Sequence, residues 1–398
     1  MGSNQKNYNQ TDLENIAKGA CFLASGGGGT YESGRNLSDN FIKSDYYPNP
    51  IFDVIDCDQV EEDGYAVVVA YIGAPEAIKS ANYPIGAVRA VEEVQRLLKS
   101  HGKNLKYVVP VEVGALSSVV PCLVASKLNL TVIDGDGAGR AVPELTMLSF
   151  SAAGISCSPA VLAGSDTNKF LLDLSMVDDD DDGQPLGQAP VVENIVRPVL
   201  ALPQFKEIAG LAIWVMDSEQ IHTAIKSKGT LTLAKETGAR VASESLDDVV
   251  CFLRSKRKEV FHLFHGTFDA KGCTSLTAGG FDHGTVTISD GDQQFIILYQ
   301  NESLLGWSNQ KNHPLVMAPD SISLFVEDEQ KAYSIGDVMN EKGELSSKLI
   351  GKSVTVIGIA AGSFLRENGS NGLLPVFMQA IKNLGYYGGY KAIEKINQ

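Results

Sequence analysis

Three short apolar runs alternate with two helical stretches in the first third of the chain, and this alternation restricts the fold more than any other feature. The runs, at residues 65–72, 107–111 and 131–133, are apolar throughout, as in strands that are buried on both faces. Residues 88–98 carry valines and leucines on one helical face, and a second helix is expected at 118–128. Because right-handed crossovers bring such strands into parallel register, the sequence predicts an α/β domain with the three strand ends at one edge of a parallel sheet.

Acidic residues follow each of the three runs, beginning with Glu76, Glu112 and Asp134. Ligands of open parallel sheets bind beyond the carboxyl ends of the strands, where glycines let backbone amides approach them. A tight turn with a solvated salt bridge, or a set of helix caps, would leave the same pattern, and both alternatives stay open. The sequence predicts that these loops line one cleft. The candidate catalytic residues are Glu112, Asp134, Asp136, Arg140 and Glu144.

A glycine-rich segment near the amino terminus follows a predicted helix. Thr11 and Glu14 have the spacing of a capping box, so we expect the helix to begin there and to carry Leu13 inward. A dinucleotide fingerprint needs a strand before its glycines, and no Walker lysine is present. A helix end with a flexible link is one interpretation. We favour a loop that wraps a ligand or passes close to another backbone, because consecutive glycines cost backbone entropy. The segment consists of Gly26, Gly27, Gly28, Gly29 and Thr30.

Composition narrows the classes of partner. The chain has 398 residues and a net charge of −15, which disfavours nucleic acid and anionic membrane surfaces. No apolar run reaches the roughly 18 residues that a membrane-spanning helix needs. The six cysteines are scattered without a C-x-x-C pair, which favours reduced thiols over structural zinc and predicts a cytoplasmic protein. The expected partner is a small-molecule substrate, and a homo-oligomer is left open.

The composition shifts after about residue 168. Five aspartates at 178–182 resemble the start of a calcium loop, but Ala189 stands where that loop needs its glutamate, so we interpret them as a solvated surface loop. Short strands with regular turns then predict a β-rich, barrel-like or sandwich-like domain with a helical insertion. We assign a predicted strand at 211–215 to this β-rich domain. We expect an α/β domain at 8–168, the β-rich domain at 169–350, and a strand and helix at 351–398 that pack back near the domain junction.

Histidines and acids of the β-rich part are further candidates for the cleft. His262 and His265 have H-x-x-H spacing, which suits a metal on a helix, but their aromatic neighbours favour a strand, where alternate side chains point apart. The β-rich domain is predicted to close over the cleft and exclude water. Its candidate contributors are His265, Asp282, His283 and Asp320.

Five segments together resemble one family over nearly the whole chain. They are residues 16–29, Glu112-Val113-Gly114, residues 134–144, residues 279–286 and residues 318–322. The chain resembles the S-methyl-thiohydantoin desulfurase-like family, whose relatives stand beside hydantoinase and oxoprolinase proteins. Family members usually carry a second glycine and an asparagine where this chain has Ala115 and Ser117.

The resemblance and the acidic, glycine-lined edge imply hydrolysis of a small cyclic imide or thiohydantoin-type ring. Glu112 or Asp134 would be the base or a metal ligand, Asp136 would orient, and Arg140 would hold an anionic substrate arm or pair with Glu144. No nucleophile elbow or Cys-His arrangement is present, so water activated by carboxylates is expected, with a divalent metal left open. The implied substrate-binding residues are Gly26, Gly27, Gly28, Gly29, Thr30, Glu76, Gly114, Ser117 and His283.

Ala115 and Ser117 favour an alternative of a different class. A chain that keeps the pocket but has lost the amide at this position could be a non-catalytic ligand-binding or partner subunit related to hydantoinase and oxoprolinase systems.

Overall fold

The computed structural model describes residues 6–42, 51–73, 85–174, 187–205, 208–278, 281–369 and 372–397. Within these ranges the chain forms nineteen strands in two large sheets and one small one, together with twelve helices. The small sheet pairs β6 (Gly135–Asp136) with β10 (Ser227–Lys228) in antiparallel register. The helices are α1 (Gln10–Leu23), α2 (Tyr31–Ile42), α3 (Ile85–Ser100), α4 (Val119–Leu128), α5 (Ser149–Ala152), α6 (Ala189–Leu200), α7 (Ser218–Ala224), α8 (Thr230–Val241), α9 (Leu246–Ser255), α10 (Ile335–Val338), α11 (Leu374–Asn383) and α12 (Ile393–Ile396).

The first large sheet contains the predicted parallel strands. Its members are β1 (Lys6–Tyr8), β2 (Phe52–Ile55), β3 (Gly64–Gly73), β4 (Asn104–Pro110), β5 (Thr131–Ile133), β7 (Ala160–Ala163), β8 (Lys169–Leu172) and β9 (Ile208–Met216). The strand order is β1-β2-β5-β4-β3-β9-β7-β8, and β2, β5, β4 and β3 are mutually parallel. The expectation of an α/β fold with a parallel sheet is therefore confirmed.

The central strands of this sheet are buried on both faces, which explains the unbroken apolar runs. Val67 and Val69 of β3 face the core under α3 and α4, whereas Val68 faces a second core that continues into the β-rich half. Side chains alternate between the two faces of a strand, so a strand covered on both sides is apolar at every position.

Two details of the first half differ from the sequence prediction. Helix α1 begins at Gln10, not at Thr11, because the Asn9 side chain accepts from the Asp12 amide and the Asp12 carboxylate accepts from the Asn9 amide. Strand β9, which we assigned to the β-rich domain, pairs antiparallel with β3 in the first sheet. Its fully apolar interior suits a central strand between two covered faces.

The second large sheet is antiparallel throughout. It contains β11 (Val260–Phe268), β12 (Thr274–Ala278), β13 (Phe281–Asp290), β14 (Gln293–Gln300), β15 (Glu302–Ser308), β16 (Pro314–Met317), β17 (Ser321–Val326), β18 (Lys331–Tyr333) and β19 (Ser353–Ile359). The order is β16-β15-β14-β13-β11-β19-β17-β18, with β12 on β13. Val316 of β16 and Leu324 of β17 share one core although they stand near opposite ends of this order, so the sheet curls into a barrel-like shape.

The C-terminal segment packs back between the two halves, as predicted. Strand β19 lies between β11 and β17 of the second sheet. Phe377 and Ile381 of α11 lie in the same core as Trp214 of the first sheet and Leu304 of the second. Among the described residues, no helix has both the length and the apolar character to cross a membrane.

Candidate active site

The glycine loop at residues 26–29 lies against the loop that follows β4. Gly26, Gly28 and Gly29 have φ angles of +83°, +65° and +89°, which favour glycine. A Cβ atom on Gly28 would lie 2.5 Å from the Cα atom of Gly114, and the Gly28 carbonyl accepts the Leu116 amide at 2.9 Å. The prediction that this loop passes close to another backbone is confirmed. Thr30 ends the loop, and its hydroxyl accepts from the Ser33 amide in the first turn of α2.

Glu112 stands just after β4 and is held on both oxygens. The Val142 amide donates to Oε2 at 2.8 Å, and the Ser117 hydroxyl donates to Oε1 at 3.1 Å. Burial raises the pKa of Glu112 to about 8, although both donors partly offset this effect. The loop geometry thus brings together three residues predicted for the site, Glu112, Gly114 and Ser117.

Glu302, which the sequence analysis missed, is the second carboxyl group of this site. It follows Asn301, whose φ of 54° turns the chain from β14 into β15. A Cβ atom on Gly27 would lie 2.1 Å from Glu302 Oε1, so the carboxyl group occupies space that only glycine leaves free. Oε2 is buried and accepts no hydrogen bond from any described residue. Burial, followed by the charge of Glu112, raises the pKa of Glu302 well above its usual value.

The hairpin between β14 and β15 is anchored to the glycine loop by its backbone. The Ser303 amide donates to the Ser25 carbonyl at 2.8 Å, and the Ser25 hydroxyl donates to the Ser303 carbonyl at 3.0 Å. The two large sheets therefore meet at this point, each supplying one buried glutamate. We call Glu112 and Glu302 the carboxyl pair.

A second group of side chains, polar apart from Phe281 and half-buried or buried, lies next to the carboxyl pair. Gln300, the cross-strand neighbour of Glu302, donates to Glu144 Oε1 at 3.1 Å. Arg197 contacts Glu193 Oε1 at 3.3 Å and covers the Phe281 ring at 3.8 Å. Burial raises the pKa of Glu193 to about 7, and the charge of Glu144 adds to this effect. We call this group the outer rim; its members are Glu144, Glu193, Arg197, Gln300 and Phe281.

Arg140 is fully buried, and its guanidinium donates to backbone carbonyls. The predicted role was different: Arg140 was expected to hold an anionic substrate arm or to pair with Glu144. Its Nη1 atom donates to the carbonyls of Pro319 and Asp320, both at 2.9 Å, and Nη2 donates to the Ser303 carbonyl at 3.1 Å. Nε donates to its own neighbour, Ala141. Glu144, the other predicted partner, pairs with Gln300 instead. Arg140 thus ties the loop after β5 to the second sheet, and its charge still lowers the pKa values of both members of the carboxyl pair.

Asp136 lies beside the carboxyl pair and organises its own loop. Its Oδ1 atom accepts from the amides of Ala138 and Gly139, at 2.7 and 2.6 Å. The Thr230 hydroxyl faces the carboxylate without reaching hydrogen-bond geometry, so Oδ2 is left without a partner among the described residues. Burial raises the pKa of Asp136 to about 6, and its charge raises that of Glu112.

Asp134 is occupied by contacts away from the carboxyl pair. Its Oδ1 atom accepts the amides of Leu231 and Thr232 in the first turn of α8, at 2.9 and 3.2 Å. Its Oδ2 atom accepts from the Thr232 hydroxyl and lies 3.1 Å from Lys6 Nζ. The side chain therefore caps a helix and pairs with a lysine. These are the structural roles, helix cap and salt bridge, that the sequence left open as alternatives for this loop.

Three of the four candidates from the β-rich part have local roles. Asp320 accepts from Ala361, Tyr390 and Ile393 and pairs with Arg366, so it fixes the C-terminal segment. His265 lies on β11, as predicted for a strand, with Nδ1 2.8 Å from the Thr355 hydroxyl.

The other two candidates lie at the start of β13. Asp282 accepts from the Thr277 hydroxyl at 2.5 Å. His283 contacts Phe281 edge-on and is therefore the candidate of this group that lies beside the outer rim. Glu76 and the acidic run at 178–182 lie outside the described residues. Within the described ranges, no group of three or more His, Cys, Asp or Glu side chains has the arrangement of a metal site.

Comparison with known families supports a single assignment across both halves. Residues 11–174 match the S-Me-THD-like N-terminal domain, and residues 188–373 match the S-Me-THD-like C-terminal domain. The chain belongs to the S-Me-THD-like family. A protein from Chromobacterium violaceum, known from an X-ray crystal structure, is 40% identical with a TM-score of 0.86, and the match covers 98% of this chain and 100% of that one. No curated protein matches.

Proposed function

We propose that this chain hydrolyses a small five-membered cyclic imide or thiohydantoin-type ring with a water molecule activated by carboxyl groups. The carboxyl pair carries the proposal, because Glu112 and Glu302 are buried together and Glu302 Oε2 accepts no hydrogen bond from a described residue. Membership in the S-Me-THD-like family supports the class of ring.

The pair can supply an acid and a base at the same pH. Burial raises the pKa of Glu112 to about 8 and also raises the pKa of Glu302, so the pair retains a proton where isolated glutamates are fully ionised. The ionised member accepts a proton from water, and the protonated member donates one to the substrate. The same division of roles between neighbouring carboxyl groups occurs in other hydrolases.

The reaction can be written so that one water is consumed and both glutamates are restored. For an S-methyl-thiohydantoin, the water oxygen adds to the ring carbon that carries sulfur. The carbon–sulfur bond breaks, one water proton ends on the ring nitrogen, and the other leaves with methanethiol. For a simple imide, the oxygen adds to a carbonyl carbon, the carbon–nitrogen bond breaks, and the ring nitrogen takes the proton.

The neighbouring backbone suits this chemistry. Gly27 has no side chain, which leaves room for the Glu302 carboxyl group, and the Gly28 amide faces the same group. Since surrounding apolar residues exclude bulk water, charges that develop on the substrate interact strongly with the pair.

The direct test is incubation of the purified protein with S-methyl-thiohydantoins, hydantoins and 5-oxoproline, with and without Mn²⁺ or Zn²⁺. Released thiol and ring opening are measured. We expect turnover of at least one ring and a loss of about 100-fold or more in kcat for Glu302→Gln, because the acid–base partner is removed. Glu341→Gln, on an exposed residue, is the matched control. Wild-type activity that survives in both Glu302→Gln and Glu112→Gln would contradict the proposal.

A non-catalytic binding role is the second candidate, and one observation favours it. Both oxygens of Glu112 already accept hydrogen bonds, from Val142 and Ser117, as in a carboxylate that shapes a pocket. Thermal stabilisation by one of the rings without turnover of any of them would establish this role.

A further inference from the structure

A small cavity lies between the two halves of the chain, next to the carboxyl pair. One wall is the loop at 138–140, which follows β6, and the opposite wall includes residues 359–362 at the end of β19. Val113, the neighbour of Glu112 in the chain, also lines the cavity. Its volume of about 30 Å³ admits a single small group.

Both charged side chains that line this cavity among the described residues are cationic, namely Arg140 and Lys258. Arg140 donates through Nε, Nη1 and Nη2 to four backbone carbonyls. Lys258 follows α9 and is half-buried, and its Nζ atom forms no hydrogen bond or ion pair with a described residue. Lys258 therefore has donors available for a ligand, whereas Arg140 contributes mainly its charge.

Two serine hydroxyl groups add neutral donors to the same cavity. Ser227, on β10, and Ser321, at the start of β17, both line it, and neither hydroxyl forms a hydrogen bond with a described residue. Ser321 is 5% exposed, and hydroxyl groups so deeply buried ordinarily have a partner. Leu23, Leu233 and Leu365 belong to the apolar part of the lining. The cavity thus offers one ammonium group and two hydroxyl groups to a ligand.

Asp136 is the acidic residue whose charge acts on Lys258 among the described residues. It is fully buried and is held by the amides of Ala138 and Gly139, which themselves form the cavity wall. Burial lowers the pKa of Lys258, and the charge of Asp136 opposes this effect, so it helps to keep the amino group protonated. Asp136 therefore supports the charge of Lys258 without occupying its donors.

The other acidic groups near the cavity do not cancel its positive charge. Asp320 and the carboxyl pair act on Arg140. Asp320 is itself paired with Arg366, whose charge acts on Lys258. Burial raises the pKa values of both members of the carboxyl pair, so the pair retains a proton at neutral pH. The balance of charge at the cavity therefore favours an anionic group.

We infer that this cavity binds the carboxylate group of a small ligand, with Lys258 Nζ as its charged partner and the hydroxyl groups of Ser227 and Ser321 as further donors. Both oxygens of a carboxylate accept charge-assisted hydrogen bonds, so a carboxylate matches this set of donors better than a neutral amide does. Lys258 thus has the role at an anionic substrate arm that the sequence predicted for Arg140. The site itself does not depend on hydrolysis, whereas its extension to rings that carry a carboxylate rests on the proposed function.

Acetate and acetamide test the cavity itself, because they have nearly the same size and differ in charge. We expect acetate to bind at least about tenfold more tightly than acetamide, measured as Kd by ligand-observed NMR. The pair of 5-oxoproline and its carboxamide makes the same comparison on a five-membered ring, with the same expected order. Acetate should also displace 5-oxoproline, since both place a carboxylate at Lys258.

Variants of Lys258 locate the preference for the carboxylate. Lys258→Met removes the ammonium group and keeps the length of the side chain, so it should reduce the ratio of the acetamide and acetate Kd values by about fivefold or more. Lys258→Gln is a second variant with the same expectation, in case the first does not fold. Lys342→Met, on an exposed residue, is the matched control and should leave the ratio unchanged.

The outcomes separate this inference from the proposed function. A preference for the carboxylates that Lys258→Met removes supports the inference, and it overturns hydrolysis if no ring is turned over. Equal or tighter binding of the amides overturns the inference, and turnover of a ring would then leave hydrolysis standing. A preference that neither variant of Lys258 changes overturns the assignment to this cavity. Binding of acetate without binding of 5-oxoproline supports the site and overturns its extension to the ring.

Discussion

Gly28 and Gly114 pack backbone against backbone, so closely that a Cβ atom on either residue would lie within 2.5 Å of the other residue's Cα atom. This contact fixes the glycine loop against the loop that carries Glu112. The Gly28 carbonyl adds to it by accepting the amides of Leu116 and Ser117. The position of the carboxyl pair therefore depends on two residues that have no side chain.

Replacing Gly28 by alanine should destabilise the protein by about 2 to 4 kcal/mol. The new methyl group would collide with the Gly114 backbone, and a φ of +65° is itself unfavourable for alanine. Chemical denaturation measures the change. Gly102→Ala is the control, because Gly102 has a φ of +71° with nothing within 4 Å of the added carbon, so it should cost only about 1 kcal/mol. Equal losses in both variants would show that the close contact contributes nothing.

Gly27→Ala should damage activity more than stability. The added carbon would lie 2.1 Å from Glu302 Oε1, and the end of a side chain can move where backbone cannot. We expect the unfolding free energy to fall by about 1 to 2 kcal/mol and kcat to fall by about tenfold or more, because Glu302 leaves its place. Steady-state kinetics beside denaturation separates the two effects, and unchanged kcat would mean that the position of Glu302 is unimportant.

Stability should fall as the pH rises from 4.5 towards 8. The pKa of Glu112 is raised by burial from 4.5 to about 8, so over this interval the folded state holds a proton that the unfolded state has released. Each such group lowers the unfolding free energy by up to about 1.4 kcal/mol per pH unit. Asp136 and Glu193, with pKa values raised to about 6 and about 7, act in the same direction.

The pH effect is checked by denaturation at several pH values. Glu112→Gln should have a shallower slope than the wild type, since its amide does not titrate. The exposed Glu341→Gln should have the wild-type slope. A wild-type protein whose stability rises steadily over the whole interval would contradict the raised pKa of these buried acids.

Asp134→Ala should reduce stability by about 2 to 4 kcal/mol and leave kcat of the folded protein nearly unchanged. The carboxylate caps α8 through Leu231 and Thr232 and pairs with Lys6, and all of these contacts are lost. Asp58→Ala is the control: Asp58 pairs with Lys228 at the surface, where solvent screens the pair, so its removal should leave the stability nearly unchanged. If the Asp134→Ala variant were stable but inactive, Asp134 would again be a candidate catalytic residue.

The parts of the site that depend on the parallel sheet could be predicted from the sequence. The apolar run at 107–111 located the end of β4, and the topology rule then placed Glu112 at the edge where ligands bind. The four glycines indicated a close approach, which the contact of Gly28 with Gly114 confirms. In both cases local pattern and sheet topology determine the outcome, so no distant information was needed.

The remaining parts depend on contacts between residues far apart in the chain. Glu302 begins an apolar strand, and nothing in its neighbourhood indicates that a glycine 275 positions earlier leaves space for its carboxyl group. Asp134 follows its strand as Glu112 does, but its side chain turns to the first turn of α8, a helix that the sequence analysis did not predict. The partners of Arg140 are backbone carbonyls, and a pattern of residue types does not predict which carbonyls a side chain will contact.

Because Glu112 follows a strand of one sheet and Glu302 lies on the other sheet, the proposed activity depends on how the two halves are positioned relative to each other. A displacement of the β14–β15 hairpin that breaks its bonds to Ser25 and Arg140 would separate the pair while both hydrophobic cores stay folded. On heating, activity would then disappear at a lower temperature than ellipticity, and heat inactivation would precede melting.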